Sequence, residues 1–212
     1  MNQRPGDVRL PDLTPFGGDL EPEGDYDGVE LRGRDLTGQS ADNARFLECR
    51  IVGCVLDDAN LQRAQFAETV LEEVRAHTLR AIESGWRDVA LTSCRLGAVT
   101  AYGSQLMRVR ISGGKLDYLN LREATLTDVV LEDCTIGELD LVGAKLTRVT
   151  FEGCRVAVLD VTRAALTGVD LRGAELSGLR GLASLRGATI TSGQLLDLAP
   201  ALADHLGLTV VA

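Results

Sequence analysis

Residues 124–143 read ATLTD VVLED CTIGE LDLVG, four consecutive units of five residues with the same internal order. A small or apolar residue opens each unit, and Leu or Ile stands at the unit's centre, two places later. Working outward, the central position recurs every five residues from Leu31 to Leu176, and twenty-five of these thirty positions hold Leu, Ile, Val or Phe. This period is neither the 3.6-residue repeat of a helix nor the two-residue repeat of a strand. The chain must turn a corner every five residues, which predicts a solenoid.

The opening positions of the units carry a second, longer period. Taken every twenty residues they form columns with their own character, for example Ala44, Ala64, Ser84, Ser104, Ala124, Ala144 and Ala164. Residues that stack directly share one size constraint, so these columns predict four units per coil.

The columns also predict that no loop interrupts the array between residues 74 and 104, although several centres there are unusual. Trp86 falls in a column of large centres that faces Ala and Ser, which predicts a core position. Ala81 and Ala101 follow the larger opening residues Leu79 and Val99. We interpret this as a volume exchange that leaves the interior filled.

Units such as Ala59-Asn60-Leu61-Gln62-Arg63 and Ala174-Glu175-Leu176-Ser177-Gly178 resemble the pentapeptide-repeat family. The resemblance covers about residues 26–190 and implies an all-β solenoid, a right-handed quadrilateral β-helix. Four units per coil give about 7–8 coils, and the usual strand spacing then makes the rod roughly 36 Å long.

The two ends depart from the repeat. We expect residues 1–25, acidic and Pro-containing, to form a flexible or surface-draped arm before the β-helix of residues 26–190. The phase slips by one residue after Leu179. Residues 191–212 are expected to cap the rod with a helix that starts at a Ser192 cap, continues or restarts at Pro200 and is closed by Gly207, followed by a strand over 208–211.

Composition predicts one elongated, soluble, cytoplasmic domain. The five cysteines all occupy the inward opening position, which favours reduced, buried packing in a bacterial cytosol over metal binding. No stretch of eighteen apolar residues predicts a membrane span. The start, Met1-Asn2-Gln3-Arg4-Pro5, has no apolar run, so no signal peptide is expected.

Nothing in the sequence predicts catalysis. The only histidines, His77 and His205, stand in no recognisable pairing with a nucleophile, and glycine pairs such as Gly113-Gly114 lack a phosphate-binding pattern. We therefore expect no catalytic residue, no cofactor and no metal. An enzyme would require an unexpected cleft near His77.

The remaining expectation is a protein that works through its surface, as an interaction or scaffold protein with an unidentified protein partner. The resemblance implies an alternative: binding to a type II topoisomerase, DNA gyrase, as a mimic of duplex DNA. The net charge of −9 suits this, but residues 26–188 carry only −3, whereas a mimic of about 36 Å needs on the order of twenty negative charges. Direct nucleic-acid binding is not expected. The candidate partner-contact face is acidic and contains Glu72, Glu73, Glu132, Asp133 and Glu152.

The C-terminal segment predicts a homodimer. Its leucines at helical spacing would present more apolar surface than one coil end can cover, and the resemblance makes a two-fold contact at this end plausible. The candidate contact residues are Leu195, Leu198, Leu202 and Leu206. The alternative is a monomer whose helix lies flat over the last coil.

Overall fold

A computed structural model describes residues 4–211. Outside the described residues lie Met1 to Gln3, at the beginning of the expected arm, and Ala212, at the end of the expected cap. The described chain winds into a β-solenoid of about eight coils with parallel strands and one C-terminal helix. The elements are β1 (Thr14–Pro15), β2 (Asp25–Asp27), β3 (Val29–Arg32), β4 (Arg45–Leu47), β5 (Arg50–Val52), β6 (Ala59–Asn60), β7 (Gln65–Glu72), β8 (Arg75–Arg80), β9 (Gly85–Thr92), β10 (Arg95–Thr100), β11 (Gln105–Ser112), β12 (Lys115–Asn120), β13 (Thr125–Glu132), β14 (Thr135–Asp140), β15 (Lys145–Glu152), β16 (Cys154–Asp160), β17 (Ala165–Thr167), β18 (Val169–Asp170), β19 (Ala174–Leu176), β20 (Leu179–Arg180), a 3₁₀ turn (Leu182–Ser184), β21 (Ala188–Thr189) and α1 (Ser192–His205).

From β2 to β20, strands one coil apart pair in parallel with an offset of twenty residues. β11 pairs with β13 so that Ile111 faces Leu131, and β13 pairs with β15 so that Leu131 faces Phe151. The same offset joins β8, β10 and β12. The prediction of four units per coil without a loop at 74–104 is therefore confirmed.

The coil turns where the backbone adopts a left-handed conformation. Glu123, Asp128 and Asp133, each two places after a central apolar residue, have φ of 55°, 55° and 50°. Such values are uncommon for residues other than glycine, and here they recur at successive corners. The corner bends the chain while both flanking apolar residues stay inside.

The interior is a single hydrophobic cluster that runs the length of the rod. Near its N-terminal end Tyr26, Phe46, Phe66 and Trp86 stack face to face, with ring centroids 4.7, 4.6 and 4.2 Å apart. The Trp86 indole donates to Ser84 Oγ at 2.7 Å, so its one polar group is satisfied inside. The predicted core position of Trp86 is confirmed.

The prediction of a filled interior is wrong. A cavity of about 50 Å³ lies directly after the aromatic stack, among Ala81, Ala101, Leu106 and their neighbours. Two successive alanine centres in one column remove more volume than Leu79 and Val99 return, so the exchange is incomplete.

The one-residue slip after Leu179 is confirmed, because β21 pairs with β18 at an offset of nineteen residues, with Val169 facing Ala188. The cap itself differs from the expectation in two details. The N-cap of α1 is Thr191 rather than Ser192. Thr191 Oγ1 accepts from the backbone amide of Gln194, and the backbone amide of Thr191 donates in return to Gln194 Oε1. The helix runs through Pro200 without a break, and residues 208–211 form no strand.

No helix within residues 4–211 is long and apolar enough to cross a membrane.

Candidate functional site

The expected acidic face divides into two parts along the rod. Glu132 and Glu152 face each other in adjoining coils, with Asp133 at the corner beside them. Glu72 and Glu73 lie three coils away, because Thr92 and Ser112 occupy the intervening positions of the same column. The structure thus brings together three of the five predicted residues.

The part that contains Glu132 and Glu152 is already engaged by cations. Arg4 Nη2, from the N-terminal arm, lies 3.2 Å from Glu132 Oε1 and 2.6 Å from Glu152 Oε2. Arg110 bonds the second oxygen of Glu132 and, more than any other neighbour, holds the pKa of that carboxyl below its usual value. The acidic face is therefore partly neutralised within the chain.

The N-terminal arm lies along the rod. The Gly6 amide donates to the Arg108 carbonyl at 3.2 Å, and β1 joins the first coil beside β3. Residues 4–13 thus extend from the middle coils back to the first one. The sequence predicts a flexible or surface-draped arm without a path, because the residues that hold Arg4 and Gly6 lie more than one hundred positions away.

The C-terminal cap is the main exposed apolar surface of the described chain. Leu198 and Leu202 are half-buried, whereas Leu195 and Leu206 face solvent, so the four predicted dimer residues divide into two pairs. Outside the cap, the only large hydrophobic residues exposed between residues 4 and 211 are Tyr102 and Met107. Within it they are Leu195, Leu196, Leu206, Leu208, Val210 and Val211.

A cleft of about 390 Å³ lies beside His77 on another face of the rod. His77 Nδ1 bonds Asp57 Oδ2 at 2.8 Å, and this contact raises the pKa of the imidazole. The pKa of the Asp57 carboxyl is lowered, first by the hydrogen bond that the His77 backbone amide donates to it and then by the imidazole. The cleft has no Ser, Thr or Cys in its lining, so a His–Asp pair is present without a nucleophile. Its lining is Val55, Asp57, Arg75, Ala76, His77, Arg95, Leu96, Gly97, Lys115 and Asp117.

The cysteines are all free and buried, as their inward positions predict. Burial raises the pKa of Cys94 to about 11. The thiols of Cys134 and Cys154 donate to backbone carbonyls, and their interaction across adjoining coils lowers the pKa of Cys134 and raises that of Cys154. No group of three or more potential metal ligands occurs within residues 4–211.

Comparison with known proteins gives remote structural likenesses only. No family model matches the chain, and no curated protein is found similar to it. Full-length QnrB1, a plasmid-mediated fluoroquinolone resistance protein, is 18% identical over 84% of this chain and 100% of its own, with a TM-score of 0.39. A trypsin-treated QnrB1 variant is 15% identical over 93% and 96%, also with a TM-score of 0.39.

HetL, a pentapeptide repeat protein involved in heterocyst differentiation regulation in the cyanobacterium Nostoc sp. strain PCC 7120, is 18% identical over 83% of this chain and 93% of its own, with a TM-score of 0.25. At these identities and scores the likenesses say nothing about function. The chain's own five-residue repeat and its twenty-residue coil register are consistent with a pentapeptide repeat protein.

Proposed function

We propose that this chain is a non-enzymatic interaction protein that forms a homodimer through its C-terminal cap and offers the sides of its β-solenoid to a protein partner. The observation that carries the proposal is the concentration of exposed apolar side chains in the cap. Leu196 and Leu206 are 75% and 70% exposed there. An apolar patch of this kind at the end of a rod marks a contact surface, and a second copy presents the same patch in a two-fold arrangement.

The dimer contact is expected to use the outward side of the cap. Leu195, Leu196, Leu206 and Leu208 face solvent, whereas Leu198 and Leu202 are half-buried. Gln194 holds the helix to the rod by donating to the carbonyls of Leu171 and Ala174 at 2.7 and 2.8 Å. The proposed contact set is therefore shifted by part of a turn from the one predicted by leucine spacing.

The test is the solution mass. Light scattering should give twice the chain mass of 22.7 kDa for the intact protein, and Leu196→Asp combined with Leu206→Asp should halve it. Met107→Asp, at an exposed apolar residue outside the cap, is the matched control and should leave the mass unchanged. A concentration-independent monomer mass for the intact chain would reject the dimer.

For the protein partner, the favoured chemistry is basic. The chain carries a net charge of −9, and the carboxylates of Glu132 and Glu152 share the guanidinium of Arg4, while Arg110 binds Glu132 alone. A partner that presents arginine side chains would compete with Arg4 for this surface. Pull-down from the host with intact chain and with Glu132→Gln/Glu152→Gln tests this: partners that depend on the face are lost from the double variant.

Binding to a type II topoisomerase such as DNA gyrase, by imitating DNA, is a second candidate that the acidic balance favours. The ion pairs at Glu132 and Glu152 reduce the uncompensated charge of the face, which ranks this candidate lower. A supercoiling assay tests it directly: inhibition by the intact rod, lost in the Glu132→Gln/Glu152→Gln variant, would raise it to first place.

A further inference from the structure

Three cations stack in successive coils on the face that carries His77. Arg75, Arg95 and Lys115 occupy equivalent positions of β8, β10 and β12, and the strand register sets Arg95 directly between the other two. Their side chains all point outward and are exposed. Neighbouring strands lie about 4.8 Å apart, and like charges directly opposite each other in a sheet are unfavourable.

The row differs from several other arginines of the rod, which face a carboxylate one coil away. Arg45 faces Asp25 at 2.9 Å, Arg108 faces Asp88 at 2.5 Å and Arg148 faces Asp128 at 2.6 Å. Arg155, two coils beyond Lys115 in the same column, pairs with Glu175 at 3.2 Å.

By contrast, Arg75 and Arg95 make no ion pair with any residue from 4 to 211. Lys115 has only Asp117, on its own strand, at 3.0 Å. Two guanidinium groups therefore repel each other with their donors unused.

The row forms one wall of the cleft of about 390 Å³. Gly97, two residues after Arg95, also lines the cleft, and a side chain there would collide with the backbone carbonyl of His77. His77 uses Nδ1 to bond Asp57, and its Nε2 has no hydrogen-bond partner among residues 4–211. Both carboxylates of the cleft are thus already engaged, Asp57 by His77 and Asp117 by Lys115.

We propose that this cleft binds a phosphate group, held between the guanidinium groups of Arg75 and Arg95 with Lys115 and His77 at its edges. A phosphate dianion balances two positive charges and offers several acceptor oxygens to the planar donor forks of arginine. Binding would replace the repulsion within the row by attraction. The site lies apart from the cap and from the acidic face, so it does not depend on the proposed dimer or partner.

The length of the row selects a small ligand. The column continues with Val55 on one side and Thr135 on the other, neither of which is charged. Three cations at strand spacing span about 10 Å, which suits one phosphate group, free or esterified, rather than the backbone of a nucleic acid.

Binding is tested by calorimetry and by amide NMR on the full-length chain, with inorganic phosphate and AMP as separate probes. We expect saturable binding of one anion per chain, with shifts centred on His77 and Gly97, and at least a tenfold weaker affinity for Arg95→Ala. Arg155→Ala is the matched control, from the same column but paired with Glu175, and should bind like the unmodified chain. Tighter binding of AMP would identify a phosphate ester as the ligand, and equal or weaker binding would identify free phosphate.

A second readout keeps the proposal testable if affinity is low. Phosphate should raise the melting temperature of the unmodified chain and not that of Arg95→Ala. Without phosphate, Arg95→Ala should be at least as stable as the unmodified chain, because it removes the repulsion between the guanidinium groups of Arg75 and Arg95. Equal binding by Arg95→Ala and Arg155→Ala would overturn the proposal. So would binding of a DNA duplex that both substitutions weaken alike, since that would indicate diffuse attraction.

Discussion

At the scale of single residues, position within the five-residue unit decides how a side chain behaves. Leu131, a central residue, is 3% exposed and lies in register between Ile111 and Phe151. Thr125, one place before a centre, is exposed. Neighbouring positions of one strand should therefore differ widely in their tolerance to substitution.

Leu131→Asp should bury a carboxylate with no partner and cost several kcal/mol, enough to prevent soluble expression. Thr125→Ala on the same strand should change stability by less than about 0.5 kcal/mol. Thermal denaturation compares the two, and equal melting temperatures would contradict the register. Asp128, another outward residue of the same strand, is unsuitable as the control, because its backbone has a left-handed φ of 55° and its carboxylate pairs with Arg148.

Asp57→Asn should lower the pKa of His77, because the hydrogen bond that the His77 ring donates to the Asp57 carboxylate is the main cause of its elevation. The raised pKa of His77 means that its contribution to stability is present at low pH and is lost as the pH rises through that value. The lowered pKa of Asp57 means that its contribution is lost as the pH falls through that value. The pair therefore stabilises the fold mainly between the ordinary values of 3.8 and 6.5.

The measurement is an NMR titration of the His77 ring in both proteins. An unchanged ring pKa in Asp57→Asn would show that the contact with Asp57 is not maintained in solution.

At the scale of elements, the sequence predicts what depends on period and misses what depends on packing between distant segments. The coil register and the slip after Leu179 follow from spacing alone. The N-cap was misplaced by one residue because Thr191 and Ser192 are adjacent and both can cap; only the reciprocal bond of Gln194 distinguishes them. The row of Arg75, Arg95 and Lys115 can be found in the sequence, because its members recur every twenty residues. They stand at outward positions, whereas the columns that predict the coil contain only inward ones.

Ala101→Val should stabilise the rod by about 1 kcal/mol, since it fills a cavity of about 50 Å³ and residual cavity volume costs about 24 cal/mol per Å³. Ala124→Val is the matched control. Ala124 is fully buried and does not line the cavity, so the added methyl groups should cost about 1–3 kcal/mol through overpacking. Urea denaturation measures both, and destabilisation by Ala101→Val would indicate that the space is not available to a side chain.

The cysteines of the folded protein should resist alkylation at neutral pH and react once urea unfolds the chain. All five are buried, which keeps a reagent away from them, including Cys134 with its lowered pKa. For Cys94 the pKa of about 11 also keeps the thiolate fraction small. Cys94→Ala should leave the fold intact at modest cost. Mass spectrometry after labelling gives the count, and one zinc per purified chain by elemental analysis would contradict a packing role.

At the scale of the whole molecule, the arm makes contacts that a solenoid does not otherwise have. Coils touch only their neighbours, yet Arg4 bridges Glu132 and Glu152 while β1 joins the first coil.

Arg4→Ala should cost less than about 1 kcal/mol of folding stability, because exposed ion pairs contribute little, and the loss should shrink at high salt. Arg9→Ala is the control without an ion pair. Urea denaturation at two salt concentrations tests this, and a salt-independent loss would point to packing instead.

The bond between Arg4 and Glu152 spans 148 residues, so its two ends leave the ribosome at very different times. At typical synthesis rates of about 5–20 residues per second, Arg4 waits roughly 7–30 s before its partner exists. The arm can already pair through β1 with β3, and later bond Arg108 through the Gly6 amide, before Glu132 is synthesised. Its Arg4 end has to wait longest, so the ion pair between Arg4 and Glu152 marks a nearly completed chain.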